Sequence, residues 1–124
     1  MPDVITTEAI ARPAGPFSAA VRSAGLIFIS GQVAQDPATG KLLDADVGVQ
    51  TEQALANLAA VLAAAGKSLA DVVRVGVYLT DMNDFAAMNA AYDQVFTHPY
   101  PARTAIGVAA LPLGARVEID AIAI

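Results

Sequence analysis

Two stretches of helical period set between short β-branched runs constrain this chain most. Leu26 to Ser30 ("LIFIS") is apolar, β-branched and bounded by Gly25 and Gly31, and with Ser18 to Arg22 it predicts a hairpin around Ser23 to Gly25. From Asp46 to Ala65, Leu55, Leu58 and Leu62 recur at helical spacing among alanines, with Glu52, Gln53 and Asn57 set off that face and Gly66 as terminator. Ser68 caps one short turn before "VVRVGVYLT", Val72 to Thr80, which reads as a strand. Asp81 or Asn83 caps a second helix carrying Phe85, Met88, Tyr92, Val95 and Phe96, predicted to run to Thr97, where "HPYP" stops it. "RTAIGVAAL" and "ARVEIDAIAI" then read as two strands parted by a turn at Pro112 to Gly114.

Hairpin, helix, strand, helix and two strands make two successive β-α-β crossovers. Both helices then fall on one face of a mixed sheet, an α+β fold. The 124 residues suit a single domain spanning residues 1–124, with no repeat or linker. Apolar residues are 56% of the chain and charged residues 15%, an apolar excess that one helical layer does not cover. The bare sheet face therefore predicts a homo-oligomer.

Composition also narrows function. There is no cysteine and a single histidine, which argues against disulfides, thiolate chemistry and zinc. A net charge of −5 with seven scattered basic residues disfavours nucleic acid. No apolar run reaches membrane-spanning length, and no cationic and apolar leader opens the chain, so a cytoplasmic location is expected.

Arg103 stands at the mouth of the fifth apolar run, just after Pro101. A guanidinium on a rigid strand end suits a bidentate grip on a small carboxylate; an exposed strand-end arginine or a structural ion pair fits the same residues. Alternation along "RVEIDAIAI" sends Arg116, Glu118, Asp120 and Ile122 to one face and Val117, Ile119, Ala121 and Ala123 to the other. Glu118 then either holds a water in a pocket or pairs with Arg116 on a solvated edge. Gly31 lets a ligand approach the backbone, or simply marks a bulge. Tyr92 and Phe96 read as core, and His98 as an exposed turn residue.

"GPFSAAVRSAGLIFISGQVAQDPATGKL", "QTEQALANLAAVLAAAG", "VVRVGVYLTDMNDFAAMNAAYDQVF" and "YPARTAIGVAALPLGARVEIDAIAI" together resemble the Rid family of reactive intermediate deaminases, also called YjgF. The likeness runs from about Gly15 to Ile124. It implies a chorismate-mutase-like sheet with two helices on one face, a trimer with a central barrel-like core, and sites in clefts between adjacent subunits. The implied activity is cofactor-free hydrolysis of enamine and imine carboxylates such as 2-aminoacrylate to 2-keto acids and ammonia. By that resemblance Arg103 grips the substrate carboxylate, Glu118 orients the attacking water, Gly31 lies beside the imine carbon and Asn89 is a polar pocket residue. Phe17 departs from the tyrosine many members carry, Ala105 from a frequent cysteine, and the Thr97 to Tyr100 turn looks short. Those departures leave room for a member specialised for another small carboxylate, or for a trimeric ligand-binding or chaperone-like protein.

Overall fold

The computed structural model describes residues 2–124. Its sheet has six strands: β1 (Asp3–Ile5), β2 (Ala20–Ser23), β3 (Leu26–Gln32), β4 (Val72–Leu79), β5 (Ala102–Gly107) and β6 (Val117–Ala123). Two helices, α1 (Val47–Ala64) and α2 (Phe85–Asp93), complete it. The strand order is β1-β2-β3-β6-β4-β5. β6 pairs antiparallel with both β3 and β4, and β5 runs parallel to β4 as an edge strand. The β4-α2-β5 crossover joins neighbouring strands, whereas β3-α1-β4 straddles β6.

Local chemistry explains the elements. Ala24 and Gly25, with φ of 53° and 77°, turn β2 into β3 as a tight hairpin of the twist-compatible kind. The Asp46 side chain accepts from Val49 N at 2.9 Å to cap α1, and Gly66 at φ 74° ends it, with Lys67 N donating back to Leu62 O at 2.9 Å. Ser68 caps the short turn Leu69–Asp71 in a reciprocal capping box.

One face of the sheet carries the core. Ile27, Val75, Val77, Leu79, Val117 and Ile119 are buried against Leu55, Leu58 and Leu62 of α1 and Met88 of α2. The other face is open: Phe28 is 40% exposed and Ile106 is 45% exposed, beside half-buried Ile122, Tyr78, Glu118 and Asp120.

Several expectations need correction. β1 was not foreseen, and it pairs with β2 as the far edge of the sheet. α2 ends at Asp93 instead of Thr97, because residues 94–96 fold back as turns onto Ala91 O and Tyr92 O. β5 ends at Gly107, since Val108 N turns to Leu79 O and the chain leaves the sheet. Asn57 is not on the outer face of α1 but 3% exposed, its amide donating to Val33 O and Gln35 O at 3.2 and 3.0 Å.

Candidate active site: two half-sites on opposite faces

Arg103 is the second residue of β5 and lies level with Val75, so it points to the helix-bearing face at the sheet edge. There its Nη1 donates to Asn89 Oδ1 at 2.7 Å. The guanidinium carbon lies 4.8 Å from the centre of the Tyr92 ring and 5.7 Å from that of Phe85. Two aromatic faces and one amide thus fix the fork, while its remaining N–H groups look into an open cleft of about 600 Å³ lined by Asn89, Tyr92, Asp93, Tyr100 and Pro101. No carboxylate pairs with it: the one ion pair among the described residues is Arg74–Asp120. That disposes of Arg103 as a structural ion pair, and of an Arg116–Glu118 pair.

Tyr92 was expected as core, and it is buried, but its ring is also the shelf beneath Arg103. Burial pushes its phenol above the ordinary value although the Arg103 charge works against this. The sequence held a signal for this group: Phe85, Asn89 and Tyr92 stand at helical spacing on the α2 face turned toward β5. Ala105, two residues beyond Arg103, shares its face and packs against the core.

Glu118 lies on the other face, directly across from Tyr78. Its carboxyl group rests on Gly31 of β3, where an added Cβ would come within 2.7 Å of Glu118 Cδ. A bulge creates that seat: pairing steps from Ile29 opposite Ala121 to Gln32 opposite Ile119, so Ser30 and Gly31 share Asp120. A cleft of about 270 Å³ opens over this point, walled by Glu118, Gly31, Phe17, Arg12, Pro112 and Leu113. Burial first, and then the Asp120 charge, raise the Glu118 carboxyl above its ordinary proton affinity. Phe17 itself is 55% exposed.

The sequence-derived set therefore falls into two groups. Arg103, Asn89 and Ala105 gather on the helix side of the edge strand; Glu118, Gly31 and Phe17 gather on the open face. His98 is exposed, its ring tilted at 59° with its centre 4.3 Å from that of Tyr100, whose hydroxyl donates to Asp93. Among the described residues no three His, Cys, Asp or Glu side chains are grouped to hold a metal ion, and no helix is long and apolar enough to cross a membrane.

A single α+β sheet with an unpaired guanidinium fork at one edge and a seated carboxyl on its open face defines a class of small domains whose polar groups are divided between two surfaces. Residues 6–124 match the family described as Endoribonuclease L-PSP, and the chain belongs to this family, also known as YjgF/RutC/Rid. A RutC family protein of Pyrococcus horikoshii is 48% identical over 99% of this chain and 98% of its own. The human 2-iminobutanoate/2-iminopropanoate deaminase is 45% identical, covering 98% of this chain and 88% of its own. Among solved structures, RidA from an Antarctic Psychrobacter superposes with a TM-score of 0.94 at 42% identity, covering 98% of both chains. Escherichia coli TdcF with bound serine gives 0.93 at 38% identity, again over 98% of each.

Proposed function

We propose that this protein is an enamine and imine deaminase that converts small 2-imino carboxylates to 2-keto acids and ammonia without a cofactor, in sites formed between the subunits of a homotrimer. The observation that carries this is the unpaired, aromatic-backed Arg103 fork beside Asn89, built for a carboxylate and left without one. Relatives named as 2-iminobutanoate/2-iminopropanoate deaminases support the substrate class, as does a related structure holding serine, itself a small amino carboxylate.

In this mechanism an enamine tautomerises to its imine, and Arg103 binds the carboxylate through parallel N–H bonds. A water seated by Glu118 adds to the imine carbon: a C–O bond forms, the C=N π pair moves to nitrogen, and Glu118 takes the water proton. Glu118 returns that proton to nitrogen to give the carbinolamine; it then takes the hydroxyl proton and passes it to nitrogen as well, so the carbonyl forms, the C–N bond breaks and neutral ammonia leaves. A carboxyl held above its ordinary proton affinity suits both halves of the exchange. Addition of water to an imine is intrinsically easy, so orientation and proton transfer suffice.

Arg103 and Glu118 face opposite sides of one sheet. One chain does not bring them together, whereas the Arg103 edge of one subunit laid over the open face of the next does. The same packing covers Phe28 and Ile106 and gives the apolar excess a destination. The family description names a ribonuclease, but a net charge of −5 and seven dispersed cations are a poor footprint for RNA.

The test is keto acid release from 2-aminoacrylate generated in place by a serine-consuming enzyme. Wild type should accelerate release, and Arg103→Ala should lower kcat/KM about 100-fold, the loss of two charge-assisted hydrogen bonds. Equal turnover by the two proteins would remove Arg103 from the site. No acceleration by a folded wild type would favour a member acting on another carboxylate.

A further inference from the structure

Glu118 is not alone on its face of β6. Asp120 follows two residues later on the same side, about 7 Å along the strand. Two carboxylates this close on a half-buried surface repel one another, and a strand selected for stability alone would not place them so. The surroundings show that Asp120 is deliberately held.

Tyr78, directly across β4 from Glu118, does not donate to it. Its hydroxyl reaches diagonally to Asp120 Oδ2 at 2.9 Å. Arg74, further down the same face of β4, lies 4.0 Å from Asp120 Oδ1. Between them and directly opposite Asp120 stands Gly76. A Cβ there would come within 2.3 Å of Asp120 Oδ1 and 2.9 Å of the Tyr78 hydroxyl, so any larger residue evicts the carboxylate from its place. A glycine inside a strand hydrogen-bonded on both sides costs stability, and here it keeps a seat for Asp120 as Gly31 keeps one for Glu118.

The structural explanation, an ion pair holding the sheet together, accounts poorly for this group. Arg74 and Asp120 are 44% and 34% exposed at the limit of pairing distance, where such a contact contributes little. The Tyr78 bond is the short, directed one, and its effect is to fix where the Asp120 charge sits relative to Glu118.

We infer that Asp120, fixed by Tyr78 and Arg74 above Gly76, is a positioning residue whose held charge acts on the Glu118 carboxyl beside it, in addition to the effect of burial. This rests on Glu118 being the proton-transfer group of the deaminase reading. Within one chain the charged and titratable groups around Glu118 are few: Asp120 on its own strand, Tyr78 and Arg74 on β4, and Arg12 of the N-terminal segment on the rim of the same cleft; in the trimer reading Arg103 of the neighbouring subunit joins them. β3 contributes Gly31 and Gln32 to that cleft, neither of them charged. Asp120 is the one nearby anion, and it makes Glu118 a stronger base for taking a proton from water. The Tyr78 phenol is itself pushed up, chiefly by its bond to Asp120, so it stays a donor throughout the working range.

The experiment has two readouts on the intact protein. The chain has three glutamates, Glu8, Glu52 and Glu118, so selective carbon-13 labelling gives three side-chain carboxyl signals, and Glu118→Gln assigns the one of interest. In wild type the Glu118 midpoint should lie above the ordinary glutamate value, and in Asp120→Asn it should fall toward that value. The acid limb of kcat/KM should move to lower pH in parallel, with about a threefold to tenfold loss near neutrality, a fraction of what proton transfer usually contributes. Tyr78→Phe, which keeps the charge but frees it, should produce a smaller shift of the same sign.

A Glu118 midpoint unmoved in folded Asp120→Asn overturns the inference whatever the activity does. A midpoint that moves in Asp120→Asn and stays fixed in Tyr78→Phe overturns the part assigned to Tyr78. A wild type that titrates as described yet releases no keto acid overturns the deaminase reading and leaves the coupling of the two carboxyls standing.

Discussion

Glu118 works against the stability of the chain that carries it. Its carboxyl has a raised proton affinity in the folded protein, so the folded state holds that proton more tightly than the unfolded state does. The resulting stabilisation is fully present below the ordinary carboxylate range and is lost as pH rises through the raised value. At about pH 7, where the ionised group sits half-buried beside Asp120, Glu118→Gln should therefore melt higher than wild type. Well below the ordinary glutamate value of about 4.3 the two curves should converge, because Glu118 is then protonated in both states. Thermal melts across that range decide it; a difference constant with pH would point to packing rather than charge.

Side-chain identity was readable from the sequence, and partnership was not. Arg103 and Glu118 stood out as charges in apolar strands, and the alternation along β6 put Glu118 and Asp120 on the correct face. Which face Arg103 takes depends on how β5 registers against β4, a pairing made across an intervening helix that no local pattern encodes. Tyr78 and Asp120 went unread for the same reason: their hydrogen bond joins positions 42 residues apart.

Helix α1 does more than cover the sheet. Its buried polar residues anchor the segments that lead into and out of the Glu118 seat. Asn57 donates to Val33 O and Gln35 O just beyond β3 and accepts from Gln53 Nε2 at 2.9 Å. Gln50 donates to Leu43 O at 3.0 Å and accepts from Arg116 N at 2.9 Å, holding the entry to β6. Asn57→Ala strands two carbonyls in the interior and should cost about 1 to 3 kcal/mol in urea unfolding, against a few tenths for exposed Glu52→Ala. Similar midpoints for the two variants would show that water replaces the amide. The periodicity of α1 was plain because leucines and a terminal glycine bound it. The burial of Asn57 was not, since a polar residue at a helical position reads as exposed until the loop it satisfies is known. β1 escaped notice too, being three residues whose pairing is settled only once the hairpin beside it exists.

The sheet face opposite the helices is left open in the single chain, with Phe28 and Ile106 on it exposed. Under the trimer reading it meets the Arg103 edge of a neighbour, and scattering or sedimentation should return three times the chain mass of 12.6 kDa. The separation of Arg103 and Glu118 onto opposite faces then makes catalysis a shared property that two broken subunits can restore. An Arg103→Ala chain still offers Glu118, and a Glu118→Gln chain still offers Arg103. Each alone builds a ring with no complete site, yet every ring containing both kinds has one junction where the intact arginine of one chain meets the intact glutamate of the next. Refolded together in equal amounts, two inactive variants should regain about a quarter of wild-type turnover, since three rings in four are mixed and each has one working junction in three.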